Sequence, residues 1–284
     1  RHTVGPNYPI IVRISADEKV PGGITPEEGV AIAKRFQQEG ADAIHVSAGI
    51  YETANWIIQP LSRPRGCLVD LSEKVKSAVS IPVIAVGRIN EPTLAESILT
   101  EGKADLIAFG RALLADENFP NKVMTDKPDE IRKCIACCQA CIDELFLEHR
   151  IGCTVNPRAG YELEFPMTKT KNPKKVLVIG GGPAGMETAR VSAIRGHEVT
   201  LWEKTSKLGG QLPLATIPPY KDEIGTFNDF LTYELERLKV KVELEKETSV
   251  DDICKEKPDI VVIATGAHPA SLKVPGINQK NVVD

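Results

Sequence analysis

Lys175-Val176-Leu177-Val178-Ile179-Gly180-Gly181-Gly182-Pro183-Ala184-Gly185 is the stretch that decides the fold. After Lys175, Val176–Ile179 are apolar and mostly β-branched, the composition of a buried strand. The glycines then form a Gly-x-Gly-x-x-Gly turn, and Pro183 suits the first position of a helix that runs to Arg195 and stops at Gly196. Glu198–Trp202 reads as the next strand, with Glu203 at its end. Strand, glycine turn, helix and strand make a Rossmann-type βαβ unit, which holds a dinucleotide over the helix N-terminus. Gly180 permits the tight turn, Gly182 lets backbone N–H groups approach a pyrophosphate, and Gly185 lets the helix pack on the strand. Glu203 is placed to accept hydrogen bonds from ribose hydroxyls. A glycine turn with no ligand is the plainer alternative. A later strand, Asp259–Ala264, ends in Thr265-Gly266.

Upstream of this unit, five of the seven cysteines fall within residues 134–153: Cys134, Cys137, Cys138, Cys141 and Cys153. Iron–sulfur clusters need thiolates to offset the charge of iron, and the spacing C-x2-C-x3-C with a fourth cysteine eleven residues on wraps a cubane. Structural zinc, the alternative, usually pairs two short knuckles. Cys134, Cys137, Cys141 and Cys153 are therefore the expected metal ligands, and Cys138, next to Cys137, is expected to point elsewhere. Cys67 and Cys254 read as small buried hydrophobes. The odd count and the clustering favour metal binding over a disulfide framework, and so a reducing, cytoplasmic compartment.

The first 125 residues alternate strand and helix. Ile10–Ile14, Ala43–Val46, Pro82–Val86 and Ala104–Phe109 read as buried strands. The helices between them are announced by Thr25-Pro26-Glu27-Glu28, a capping box with proline at the first helical position, by Leu68–Val79, and by Asn90 as the cap of a helix to about Gly102. Strands separated by single helices imply a parallel sheet covered on both faces, and four such units are half of a (β/α)8 barrel. An open doubly wound sheet is the runner-up. Two strands end in a glycine–arginine pair, Gly87-Arg88 and Gly110-Arg111. In a barrel such consecutive strand ends form a phosphate site, with backbone amides binding the anion and arginine neutralising it. Arg13, inside an apolar strand, needs a partner if buried, and a flavin on the barrel axis would supply one. His45 reads as a hydrogen-bonded strand residue.

Composition bounds the function classes. A chain of 284 residues with 42% hydrophobic and 26% charged residues and a formal net charge of −4 is ordinary for about two soluble domains. It offers no electrostatic reason to expect nucleic acid or an anionic membrane as partner. No apolar run approaches the ~20 residues of a membrane span. The chain opens on Arg1 with no signal peptide, has its first methionine at Met124 and ends abruptly at Val283-Asp284, so a piece of a longer polypeptide is expected. Three segments follow: residues 1–125, residues 126–172 with the cysteines and a polar linker, and residues 173–284.

In order, the Gly-Arg strand ends, Cys-Ile-Ala-Cys-Cys-Gln-Ala-Cys with Cys-Thr-Val-Asn-Pro downstream, and Val-Ile-Gly-Gly-Gly-Pro-Ala-Gly resemble the NADH:flavin oxidoreductases that include 2,4-dienoyl-CoA reductase, 2-enoate reductase and trimethylamine dehydrogenase. The resemblance implies an α/β chain: the C-terminal half of an old-yellow-enzyme-like FMN-binding (β/α)8 barrel, a 4Fe–4S segment, and an incomplete Rossmann-like FAD and NAD(P)H module. It places Arg13, Gly87, Arg88, Gly110 and Arg111 at FMN. It places Gly180, Gly182, Ala184, Gly185, Glu203, the Gly209-Gly210-Gln211 turn and Thr265-Gly266 at FAD, and Cys134, Cys137, Cys141 and Cys153 at the cluster. The implied reaction reduces an activated C=C bond of a small unsaturated substrate, enoate or enoyl-CoA, with electrons passing from NAD(P)H through FAD, cluster and FMN, in a parent that can be a homo-oligomer. An amine dehydrogenase and a non-catalytic, metal-stabilised electron-transfer module are the rivals. The loop after Ala43–Val46 has no histidine, which leaves Tyr51 as the first candidate proton donor within this chain and Glu52 as the second; the alternative is that Tyr51 only shapes the pocket and an acid of the missing barrel half donates. With four barrel strands missing, the isolated piece is expected to be inactive.

Overall fold

The structure is a computed structural model that describes residues 2–267, 270, 274–277, 279, 280 and 282; the terminal Val283-Asp284 lies outside them. The chain divides into two compact units, Arg1–Pro166 with Leu214–Tyr233, and Met167–Pro213 with Glu234–Asp284.

The first unit is built on a parallel sheet in sequential order, β1 (Ile11–Ser15), β2 (Ala43–Ser47), β3 (Val83–Ala85) and β4 (Leu106–Ile107). Sequential order with a helix in each connection follows from β-branched runs punctuated by capped helices. The capping box forms as the residues dictate: the Thr25 hydroxyl accepts from the Glu28 N–H at 3.4 Å, and the Glu28 carboxylate accepts from the Thr25 N–H at 2.9 Å. One face of the sheet is the core, where Ile14, Ile44, Val46 and Val83 pack with Leu71 and Val75 of the helix Val69–Lys76. The register aligns Arg13, His45, Ile84 and Leu106 in one row across all four strands, on the opposite face.

That second face corrects the expectation of burial on both sides. Arg13 is exposed, its Nε donating to the Ser47 hydroxyl at 3.3 Å, and Leu106 is 51% exposed. Continuous apolar strands mark a face meant to be covered, and what covers this one is not among the described residues. A second correction concerns Asn90. The helix there is Pro92–Thr100 with Glu91 at the N-cap, and the Asn90 amide instead donates to the Cys134 carbonyl at 2.7 Å. Proline at the first helical position shifts the start by one residue, which frees the Asn90 side chain for that partner.

The second unit is a parallel sheet of order β7 (Lys241–Glu243), β6 (Glu198–Trp202), β5 (Lys175–Ile179) and β8 (Ile260–Ile263). The chain winds outward from β5 to β7 and then returns to pair β8 on the other side of β5, so the strand order reverses at the C-terminal ends of β5 and β8, the place where such sheets bind ligands. The helix Pro183–Ile194 covers β5 and β6 and buries Met186 and Ala189. β8 is the outer strand and is largely exposed, Ile263 by 76%.

Candidate functional site

At the C-terminal ends of β3 and β4 lies a cavity of about 400 Å³ whose walls include Arg13, Gly87, Arg88, Gly110 and Arg111, the five residues read from the sequence as one anion and flavin site. Gly87 and Arg88 have left-handed backbones, φ +120° and +51°, which turn the chain sharply off β3. A side chain on Gly87 would press on Leu68 Cγ at 2.8 Å, whereas one on Gly110 would meet nothing within 4 Å, so the backbone at Gly110 stands open. The two arginines differ. Arg111 donates through Nη2 to the Gln59 carbonyl at 2.8 Å and through Nη1 to the Cys138 sulfur at 3.2 Å, with no carboxylate bonded to it among the described residues. The Arg88 side chain is 2% exposed and is held by the Glu223 carboxylate and the carbonyls of Leu61 and Arg63, while its Nε is buried without a hydrogen-bond partner among the described residues.

Cys134, Cys137, Cys141 and Cys153 line a second, smaller pocket together with Leu114, Ile135 and Val155. Cys138 lines it too, contrary to the expectation that it points away. Left-handed backbone at Ala136 and Cys138, φ +48° and +61°, folds the segment back on itself, so adjacent cysteines reach one space before the π-helical turn Gln139–Asp143 carries Cys141 in. Burial pushes the Cys134 thiol up to about 11, against the lowering pull of the Ala136 N–H and the Arg111 cation. Burial likewise raises Cys141 and Cys153. Among the described residues no three cysteines, histidines or carboxylates converge on the position of a single ion. Cys134 and Arg111 belong to the walls of both spaces.

In the second unit the glycine turn is as the sequence reads. Gly180 has φ +111° and abuts the Ala264 backbone, and a side chain on Gly185 would collide with the Gly180 carbonyl. Gly182 is different: an added Cβ would come no nearer than 3.8 Å to the Gly210 Cα, so the mouth of the turn is open above the N-terminus of the helix that carries Ala184. The Gly209 N–H donates to the Gly181 carbonyl at 2.8 Å, which fixes Gly210-Gln211 beside the turn, and the Gln211 amide donates to the Ala267 carbonyl at 3.3 Å, next to Thr265-Gly266. Glu203 is already engaged. One oxygen accepts from the Gly181 N–H at 2.6 Å, the other from the Thr205 N–H and hydroxyl at 2.8 Å each. Burial alone would raise its pKa, but these donors together hold it below the ordinary glutamate value.

Three further residues differ from their sequence readings. Tyr51 opens a 3-10 turn, is 86% exposed and lies off the cavity wall. His45 Nε2 is buried with no hydrogen-bond partner among the described residues, and burial together with the facing Arg13 lowers its pKa. Cys254, expected to be buried, is exposed on the helix Val250–Glu256. Sequence reading also missed Asn90 and Glu223, since neither belongs to a motif.

A parallel α/β unit with a glycine–arginine cavity at its strand ends is followed in the same chain by a second parallel α/β unit with a glycine turn between strand and helix. The chain belongs to the NADH:flavin oxidoreductase / NADH oxidase family through residues 1–130, and residues 174–284 match the pyridine nucleotide-disulphide oxidoreductase family. It is 45% identical to the NADH oxidase of Thermoanaerobacter brockii over 99% of this chain and 44% of that one. It is 35% identical to the cinnamate reductase of Clostridium sporogenes, over 97% of this chain and 44% of that one. Among solved structures it superposes on 2-naphthoyl-CoA reductase in complex with 2-naphthoyl-CoA with a TM-score of 0.93 and 34% identity, covering 99% of this chain and 43% of that one. The chain thus spans about two-fifths of the length of these relatives. No helix among the described residues is long and apolar enough to cross a membrane.

Proposed function

We propose that the chain is part of an NAD(P)H-dependent flavin and iron–sulfur oxidoreductase that reduces an activated C=C bond of enoate or enoyl-CoA type. The observation that carries this reading is the shared wall: Arg111 and Cys134 line both the glycine–arginine cavity and the cysteine pocket. FMN suits the first space. The open Gly110 backbone and the Arg111 guanidinium, which has no bonded carboxylate, meet its phosphate, and the exposed Arg13 at the other end meets its ring. A 4Fe–4S cluster held by Cys134, Cys137, Cys141 and Cys153 suits the second. Four thiols spread around an apolar space accommodate a cluster better than one zinc ion, which needs its sulfur donors about 2.3 Å away. FAD suits the open turn at Gly182, with the first-turn amides at Ala184 and Gly185 on its pyrophosphate and the second lone pairs of Glu203 on its ribose. When bound, these groups supply hydride acceptance from NAD(P)H, single-electron transfer and hydride delivery.

The chain's own residues hold these groups and exclude water. The apolar lining of Leu114, Ile135 and Val155 keeps the cysteine pocket dry, and Arg111 offsets thiolate charge beside it. Reduction of a polarised C=C bond also needs a proton within hydrogen-bond reach. Tyr51 is this chain's nominated donor, and its exposure off the cavity wall counts against it. The test uses the full-length polypeptide supplied with FMN, FAD, iron and sulfide. NADH oxidation should depend on a cinnamate-type enoate, and an N-methylated amine, which is itself a reductant, should not reduce the flavin in the absence of NADH. Cys153→Ser should lose iron and enoate reduction while FAD reduction by NADH persists; full iron content in that variant removes the cluster assignment.

A further inference from the structure

Residues 214–233 sit, in sequence, between the glycine turn and the later strands of the second unit, yet they group with the first. Their 3-10 turn, Asp222–Ile224, inserts Glu223 into a chain of alternating charges. Glu223 holds Arg88 and, at 3.2 Å, Arg65; Arg65 holds Glu91 at 2.6 Å; Glu91 holds Lys133 at 3.0 Å, next to Cys134. The Glu223 side chain is 12% exposed and Arg88 2%, so this ion pair is out of water. A buried cation that loses its only carboxylate must move or be paired again. Arg88 has one polar direction left, the cavity it helps to line.

We propose that Glu223 is a positioning residue for the Gly87-Arg88 turn. By neutralising Arg88 and holding it against the carbonyls of Leu61 and Arg63, it fixes the left-handed turn that walls the cavity. The flavin phosphate then meets the turn's backbone and the Arg111 cation rather than the Arg88 guanidinium. The two Gly-Arg pairs, alike in sequence, divide the work: Arg88 is the neutralised keystone and Arg111 the cation facing the anion. This assignment rests on the reading of that cavity as an FMN site, and it goes beyond that reading by placing a residue of the segment 214–233 in control of the site's shape.

The experiment compares wild type, Glu223→Gln and Glu223→Asp in the full-length polypeptide. It measures FMN affinity, the phosphorus resonance of bound FMN, and hydrogen exchange at residues 87–89 with and without FMN. Glu223→Gln should weaken FMN binding at least about tenfold, within the range of coupling expected for residues in one ionic network. It should also shift the phosphorus resonance and speed exchange at the turn, leaving FAD retention unchanged. Glu223→Asp, which keeps the carboxylate, should recover part of each effect, and it carries the comparison if Glu223→Gln does not fold. FMN affinity within about twofold of wild type, with unaltered exchange at the turn, overturns the proposal, and so does tighter FMN binding, which would make Glu223 a competitor of the phosphate. If wild type takes up no FMN, the FMN reading falls, and the positioning role is decided by exchange at residues 87–89: faster in Glu223→Gln upholds it, unchanged removes it.

Discussion

Glu203 shows how one carboxylate can serve the fold before it serves a ligand. It closes the glycine turn through Gly181 and anchors Thr205, and its lowered pKa is the thermodynamic mark of those bonds. A carboxylate whose folded pKa lies below the unfolded value, about 4.3 for glutamate, contributes stability above that value and loses it as pH falls through the folded pKa. Glu203→Gln should therefore destabilise the second unit by about 1–3 kcal/mol at neutral pH, the range for hydrogen bonds to a charged group. The difference from wild type should shrink as the pH is taken below about 4.3. Urea unfolding followed by the fluorescence of the buried Trp202 measures both, and a difference that stays constant down to acid pH refutes the linkage. At this scale sequence reading saw the residue but not its bonds. An acid at the end of a Rossmann strand is legible from its position, whereas a partner two or twenty-two residues away depends on where the turn brings its N–H groups.

The helix Pro183–Ile194 and its turn separate two uses of glycine that the motif alone runs together. Gly185 is small because the Gly180 carbonyl and the Ala264 side chain leave no room, while Gly182 faces open space. Gly185→Ala should thus lower stability, by about 1–3 kcal/mol as overpacking does, and lose FAD. Gly182→Ala should keep the wild-type melting temperature, since its φ of −76° suits alanine, yet lose FAD because a methyl group occupies the approach to the pyrophosphate. Thermal melts beside flavin content after gel filtration distinguish them. A Gly182→Ala protein that retains FAD would show that the open mouth is not the nucleotide site. Strands and helices were legible here because their periodicity is local. The N-cap at Glu91 rather than Asn90 is not legible locally, because the Cys134 carbonyl, 44 residues on, claims the Asn90 amide.

For the whole molecule, the decisive feature is the row Arg13, His45, Ile84 and Leu106, exposed at Arg13 and Leu106 and half-buried at His45 and Ile84, with β1 and β4 as unpaired edges among the described residues. Exposed parallel edges and a half-apolar face favour association. We expect residues 1–284 alone to self-associate and bind FMN weakly, and the full-length polypeptide to bind it stoichiometrically. Light scattering and flavin content check this, and a monomeric 284-residue piece with one tightly bound FMN contradicts it.

By itself the sequence determined the parallel α/β units, the glycine turn between strand and helix and the grouping of four cysteines, because each is encoded in spacing over a few residues, where chain geometry allows one local solution. Only the tertiary structure decided that Cys138 joins the other cysteines, that Arg88 is neutralised while Arg111 is not, and that residues 214–233 group with the first unit. Those outcomes depend on which charges and carbonyls a folded chain brings together from positions up to 135 residues apart, as Arg88 and Glu223 are, and no local pattern carries that information.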